Sequence, residues 1–313
     1  SVQGQSLPKF DVRVTSVHPS ISDITLRRRE RQNGPTSEVA IDGCTSRIHA
    51  AVHARALSVL LALRLAAHNL SPKHGHPMAT YVLIHDAWHA GKDLEHTASP
   101  IREAGHRVHT PTIAGNKPGD PKTVGLEEAI RSIADYLAEK NLRDVILLGH
   151  GYGGMIITAV ADRLPDRIRR LVYWNAFVPN DGESLNDMAA YVRLCTSQRG
   201  DGSIMVPFQI WRETFINDVD LETAQKAYDA LNPHPEKTLL DQISIMTNPK
   251  DMQVGRSFIN CTDDVGLPDR HPWHPRISQK LGVFRLVQIP GSHELCFSNP
   301  KRLAQAIMDA GRD

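Results

Sequence analysis

Three short segments of the chain hold residue types whose order and spacing could carry nucleophilic catalysis. The first is Gly149-His150-Gly151-Tyr152-Gly153-Gly154, placed between the apolar run Val145-Ile146-Leu147-Leu148 and the helix-like run Met155-Ile156-Ile157-Thr158-Ala159-Val160. A strand, a tight glycine turn and a helix form the setting of a G-x-S-x-G elbow. There, small flanking residues let a strained turn push one side chain out at the helix N-terminus. Gly149 and Gly153 fill the flanking positions, but Gly151 stands where the serine belongs. The second segment is Thr262-Asp263-Asp264 after the apolar Ser257–Cys261 run. The third is Gly291-Ser292-His293 after Phe284–Ile289. An acid and then a histidine, each following a strand, bring an orienting carboxylate and a base to the carboxyl edge that the elbow occupies.

The glycines admit a second reading. Gly149, Gly151 and Gly154 also spell G-x-G-x-x-G after a strand, the fingerprint of a dinucleotide-binding turn. That turn wants an acidic residue about twenty positions on, at the end of the next strand. Here Leu171-Val172-Tyr173-Trp174 ends in Asn175-Ala176, so the carboxylate is missing. His85-Asp86-Ala87-Trp88-His89 approximates a helical zinc motif, and His271-Pro272-Trp273-His274 offers another pair. Histidines four apart share a face only on a helix, whereas His85 ends a strand and Pro272 and Pro275 disfavour one. No metal site is expected from either.

These residues need a scaffold, and from Met78 onward strand-like and helix-like runs alternate as in a parallel sheet covered on both faces. The strands fall at 81–85, 107–110, 144–149, 168–175, 256–261 and 284–289, most of them the continuous apolar runs of doubly covered strands. Leu126, Ile130, Ile133 and Leu137 recur at helical spacing, with Glu127 and Arg131 paired on the polar side. The last helix starts at Asn299-Pro300, a cap residue with proline in the first turn, and stops before Gly311. Residues 181–250 form an insertion too long for an ordinary crossover, and a helical cap is expected there. Within it Phe208 and Trp211, together with Trp88 outside it, are candidates for lining an apolar pocket, although most such aromatics pack cores.

With these residues in place, residues 78–313 resemble the plant methylesterase and hydroxynitrile lyase branch of the α/β hydrolases and its bacterial esterase relatives. The likeness rests on His85-Asp86-Ala87-Trp88-His89, the elbow at 149–154, Cys261-Thr262-Asp263-Asp264-Val265-Gly266-Leu267-Pro268, and Gly291-Ser292-His293-Glu294 before Ser298-Asn299-Pro300. The resemblance implies an α/β-hydrolase fold, a parallel sheet of about six strands, and a site acting on a small ester, lactone, amide or carbamate without a cofactor. It maps the base to His293, the acid to Asp264 with Asp263 as the fallback, and the nucleophile to Gly151. It maps the oxyanion donors to the backbone N–H groups of Ala87 and Tyr152. Two departures stand out. Asp86 replaces the usual glycine after His85, and a carboxylate aimed at the oxyanion hole would oppose the reaction, so Asp86 is expected to point elsewhere. Gly151 removes the attacking atom. Three readings of it stay open: a deliberate replacement of serine, divergence to a non-catalytic small-molecule-binding protein, and chemistry in which His293 acts on water or directly on substrate.

Composition sets the outer limits. Thirty-six basic and thirty-five acidic residues in 313 leave no field of one sign for nucleic acid or an anionic membrane. The four cysteines form no Cys-x-x-Cys pair, which points to a reducing, cytoplasmic setting. The apolar run at 56–63 is far short of the ~20 residues of a membrane span, and it lies too far along the chain for a secretory signal. Residues 1–77, rich in Arg, Ser and His and closed by Pro72-Lys73-His74-Gly75-His76-Pro77, are expected to form a disordered or weakly structured extension. The expected partner is a small molecule, and a homodimer is compatible with everything above.

Overall fold

The computed structural model describes residues 78–268 and 272–313, without the side chain of Tyr191. The extension expected at 1–77 lies outside them. Six parallel strands make one sheet: β1 (Thr80–Ile84), β2 (Arg107–His109), β3 (Val145–Gly151), β4 (Ile168–Ala176), β8 (Gly255–Cys261) and β9 (Arg285–Ile289). Their order is β2-β1-β3-β4-β8-β9. Each of the six lies where the apolar runs predict it, with ends shifted by one or two residues. Alternation within a strand explains the two layers. Val82, Ile84 and Leu147 face one core, whereas Tyr81, Leu83, Ile146 and Leu148 face the other.

Helices α2 (Leu126–Glu139) and α3 (Gly153–Arg163) cover the first face. Helices α1 (Glu95–Glu103) and α5 (Pro300–Gly311) cover the second and pack on each other. Asn299 caps α5 by accepting from the Arg302 N–H at 3.1 Å, with Pro300 in the first turn. The helix runs through Gly311 rather than stopping before it, because a Cβ there would press on the Tyr81 ring at 2.8–2.9 Å and only glycine lets the last turn lie flat on β1.

The insertion between β4 and β8 is not purely helical. It holds short helical segments, α4 (Leu221–Asp229) among them, and a small antiparallel sheet of β5 (Ser197–Gln198), β6 (Ser203–Met205) and β7 (His234–Pro235). Strands of two or three residues carry too little alternation to announce themselves in a sequence. Among the described residues, no helix is long and apolar enough to cross a membrane.

Candidate active site

β3 ends by delivering Gly151 to the carboxyl edge of the sheet in a left-handed conformation, φ +49°, just before α3 begins. The turn is as tight as the sequence predicts. A Cβ on Gly149 would lie 2.6 Å from the Gly153 carbonyl, and one on Gly154 would lie 2.1 Å from the Phe177 carbonyl oxygen. These glycines are used up in close backbone packing, which leaves no bare turn to receive a pyrophosphate and speaks against dinucleotide binding through Gly149, Gly151 and Gly154.

The loop after β8 supplies Asp264 and the loop after β9 supplies His293. His293 Nδ1 donates to Asp264 Oδ2 at 2.6 Å, with both side chains buried. Asp264 is itself held. Its Oδ1 accepts the Gly266 N–H at 2.6 Å, and its Oδ2 also accepts from Asn175 Nδ2 at the end of β4. Asn175 Oδ1 accepts the Cys261 N–H at 2.8 Å, which ties the clamp to the end of β8. Asp263 has a different task, since its Oδ2 accepts the Gly291 N–H at 2.8 Å and fastens one loop to the other. Asn175 was legible in the sequence only as a missing carboxylate; here it orients the acid.

Asp86 corrects an expectation. It points into the site, where its Oδ1 accepts the Tyr152 N–H and its Oδ2 lies 3.0 Å from His293 Nε2. A Cβ at position 151 would fall 2.1–2.2 Å from the Asp86 carboxyl atoms, so the carboxylate fills the volume that a serine side chain there would use. The Tyr152 N–H, expected to hold a developing oxyanion, already holds one. Its partner in that expectation, Ala87, lines the same pocket.

Electrostatics follow from this enclosure. Burial pulls the His293 imidazole down, but the Asp264 carboxylate at one nitrogen and Asp86 at the other outweigh it and hold the ring well above the ordinary histidine range. Burial pushes the Asp86 carboxyl up, yet the His293 bond and the surrounding histidines leave it below the usual carboxylate range. His293 thus sits between two carboxyl groups, one at each ring nitrogen. A ring that donates from both nitrogens has no lone pair free to take a proton.

Further buried polar groups lie beneath the site. His150, from the elbow, stacks on Trp174 with ring centroids 3.6 Å apart and approaches His293 at 4.5 Å. Burial, with the His293 charge, drives its pKa well below the ordinary value. His89 Nε2 lies 3.1 Å from Glu294 Oε2, and both residues are buried. Burial lowers the His89 pKa, but Glu294 raises it to about 9. His85 does not join His89 in a metal pair: its Nε2 accepts the Ile113 N–H at 3.0 Å. His274 bonds Ser278, and its expected companion His271 lies outside the described residues.

A small pocket opens over Asp86 and His293, lined by Trp88, Phe177, Phe215 and Trp273. Leu185, Val192 and Leu239 of the insertion complete its wall. Of the three aromatics proposed for the pocket, only Trp88 lines it. Trp211 is fully buried among His89, Phe215 and Tyr228, and Phe208 packs edge-on against Tyr228, so both bind the insertion together. The insertion is anchored by Trp88, whose Nε1–H donates to the Ile204 carbonyl at 3.2 Å.

Comparison with known proteins agrees with this fold. A family model described as "Alpha/beta hydrolase family" matches residues 81–306. A carbendazim hydrolyzing esterase of Nocardioides sp. is 50% identical over 111 residues, covering 34% of this chain and 46% of that protein. Methylesterase 18 of Arabidopsis thaliana is 24% identical over 258 residues, covering 74% of this chain and 96% of its own. The solved structure of an extracellular alpha/beta-hydrolase from a Paenibacillus species, described as sharing homology with tobacco salicylic acid binding protein 2, superposes with a TM-score of 0.72 at 35% identity. That match covers 75% of this chain and all of the other.

Proposed function

Because the chain belongs to the alpha/beta hydrolase family, we propose that its pocket takes a small ester, lactone, amide or carbamate and that acyl transfer through residue 151 is switched off. The observation that carries this reading is the intact Asp264–His293 pair at the floor of an apolar pocket, facing a carboxylate instead of a hydroxyl. His293 and Asp264 keep the roles of base and orienter, Ala87 and Tyr152 keep the place of the oxyanion donors, and the insertion serves as the cap. The missing serine hydroxyl leaves no acyl-enzyme route at this position. The carbendazim and methyl ester relatives support the ester and carbamate end of this substrate range.

A second reading, a non-catalytic binding protein, draws on Asp86. By filling the nucleophile volume and neutralising His293 it makes a self-contained ion triad that needs no substrate to complete it. Methyl phenylacetate separates the two. Trp88 and Trp273 line the pocket, so their fluorescence reports binding, while released acid reports turnover. The hydrolase reading expects binding by the native chain, and turnover once Gly151→Ser and Asp86→Gly are combined. Binding without turnover in the folded double variant favours the binding protein, and absence of both overturns the pocket assignment.

A further inference from the structure

We propose that Asp86, His150, His293 and Glu294 form a binding site for one divalent transition-metal ion of the zinc type. One ligand atom from each of these four buried residues lies within 4.8 Å of the others. They come from three separate places, the loop after β1, the elbow, and the loop after β9, and they converge under the pocket floor. Two nitrogen and two oxygen donors are a set that zinc accepts in tetrahedral geometry, with bonds of about 2.0–2.2 Å.

Two unmatched polar atoms point to the same ion independently of that convergence. His150 Nε2 and Glu294 Oε1 are both buried and have no hydrogen-bond partner among the described residues. A fully buried carboxylate oxygen and imidazole nitrogen left unmatched are costly and rare, and a cation placed among them satisfies both at once. The charge balance agrees. Asp86, Asp264 and Glu294 bring three carboxyl groups into one buried region beside His89, His150 and His293.

The surroundings have the form of an outer shell. Asp264 on His293 Nδ1 is a carboxylate–histidine pair of the kind that fixes a metal-binding ring, and His89 on Glu294 Oε2 fixes the carboxylate in turn. Asp86 and His293 already stand 3.0 Å apart, a separation a shared ion can bridge in place of the proton between them. The proposal concerns binding and stands whether or not the pocket hydrolyses esters.

The full chain, stripped with a chelator and dialysed, should be titrated with Zn²⁺ and Co²⁺, with bound metal counted by mass spectrometry and the Co²⁺ absorption spectrum recorded. The expected result is one ion per chain with the intense visible bands of a low-coordinate cobalt site. Glu294→Gln and His150→Gln, each checked for native circular dichroism, should each weaken binding at least tenfold and change the cobalt bands. Asp264→Asn should weaken it about 10–100-fold through the His293 ring, while Asp263→Asn, outside the cluster, should bind like the native chain. Absence of a bound ion in the native protein overturns the proposal. So does an equivalent that survives both Glu294→Gln and His150→Gln, because that ion would sit elsewhere on this histidine-rich chain.

Discussion

The acid–base half of the site and the elbow half face each other across His293 Nε2, and they differ in how far each departs from a working serine hydrolase. On one side Asp264 is gripped by Asn175 and the Gly266 N–H and delivers a short bond to His293. On the other, Gly151 has no side chain and Asp86 has moved into the vacancy. The lesson is that the two changes on the elbow side are physically one. A carboxylate can enter only because residue 151 lacks a Cβ, and once there it satisfies the Tyr152 N–H and the second His293 nitrogen.

The largest expected effect comes from reversing both changes together. Combining Gly151→Ser with Asp86→Gly should raise hydrolysis of p-nitrophenyl acetate by roughly 10³-fold or more over the native chain, on the scale of removing a nucleophile from a serine protease. Gly151→Ser alone should gain much less, since its Cβ would meet the Asp86 carboxyl at 2.1–2.2 Å and must displace it from a bonded position. If the single variant matches the double, Asp86 is not coupled to Gly151 and the comparison between the halves fails.

Next in size, His293→Ala placed in that double variant should erase the gain, returning activity to within a few-fold of the native chain. Initial rates in paired preparations measure it. Retained activity would mean that the new serine is working without the Asp264–His293 half.

Much of this was legible beforehand, for identifiable reasons. Doubly covered parallel strands are continuous apolar runs, so all six could be placed, and the elbow, Asp264 and His293 follow because each ends a strand. Asp86 was visible as a departure, but its direction was not, because it depends on empty volume 65 residues away in sequence, a tertiary fact. Asn175 was hidden for the same reason: its role exists only through β8, whose pairing with β4 no local pattern states. Trp211 and Phe208 were misplaced because an aromatic that holds the insertion together and one that lines the neighbouring pocket have the same local sequence.

Asn175→Ala probes the intact half with a smaller effect. It removes one hydrogen bond to Asp264 and leaves the buried Cys261 N–H without its partner, at a cost of about 1–3 kcal/mol. For a domain of this size each kcal/mol lowers the unfolding midpoint by about 2–4 °C, so calorimetry should show a drop of several degrees. An unchanged midpoint would mean that the clamp on Asp264 contributes nothing to the rigidity claimed for that half.

The smallest expected effect tests whether the elbow half, though altered, is still firmly built. His234 lies under it, with its ring 4.9 Å from Tyr152, Nδ1 3.1 Å from Asn116 Nδ2 and Nε2 2.8 Å from Thr238 Oγ1. Burial lowers its pKa to about 3, assisted by neighbouring positive charge. An unfolded histidine takes up its proton near pH 6.5, whereas this one stays neutral until about 3, so its contribution to stability is complete above pH 6.5 and is lost as pH falls. At pH 5 the loss amounts to about 2 kcal/mol, from 1.36 kcal/mol per unit of separation. Urea unfolding of the native chain and of His234→Gln at pH 7.5 and pH 5 isolates it: the variant should be less stable at pH 7.5, yet should lose about 2 kcal/mol less on going to pH 5. Equal losses in the two proteins would mean that His234 takes up its proton in the folded state as readily as in the unfolded one. The packing beneath Tyr152 would then be open to water, and the elbow half would be loose as well as altered.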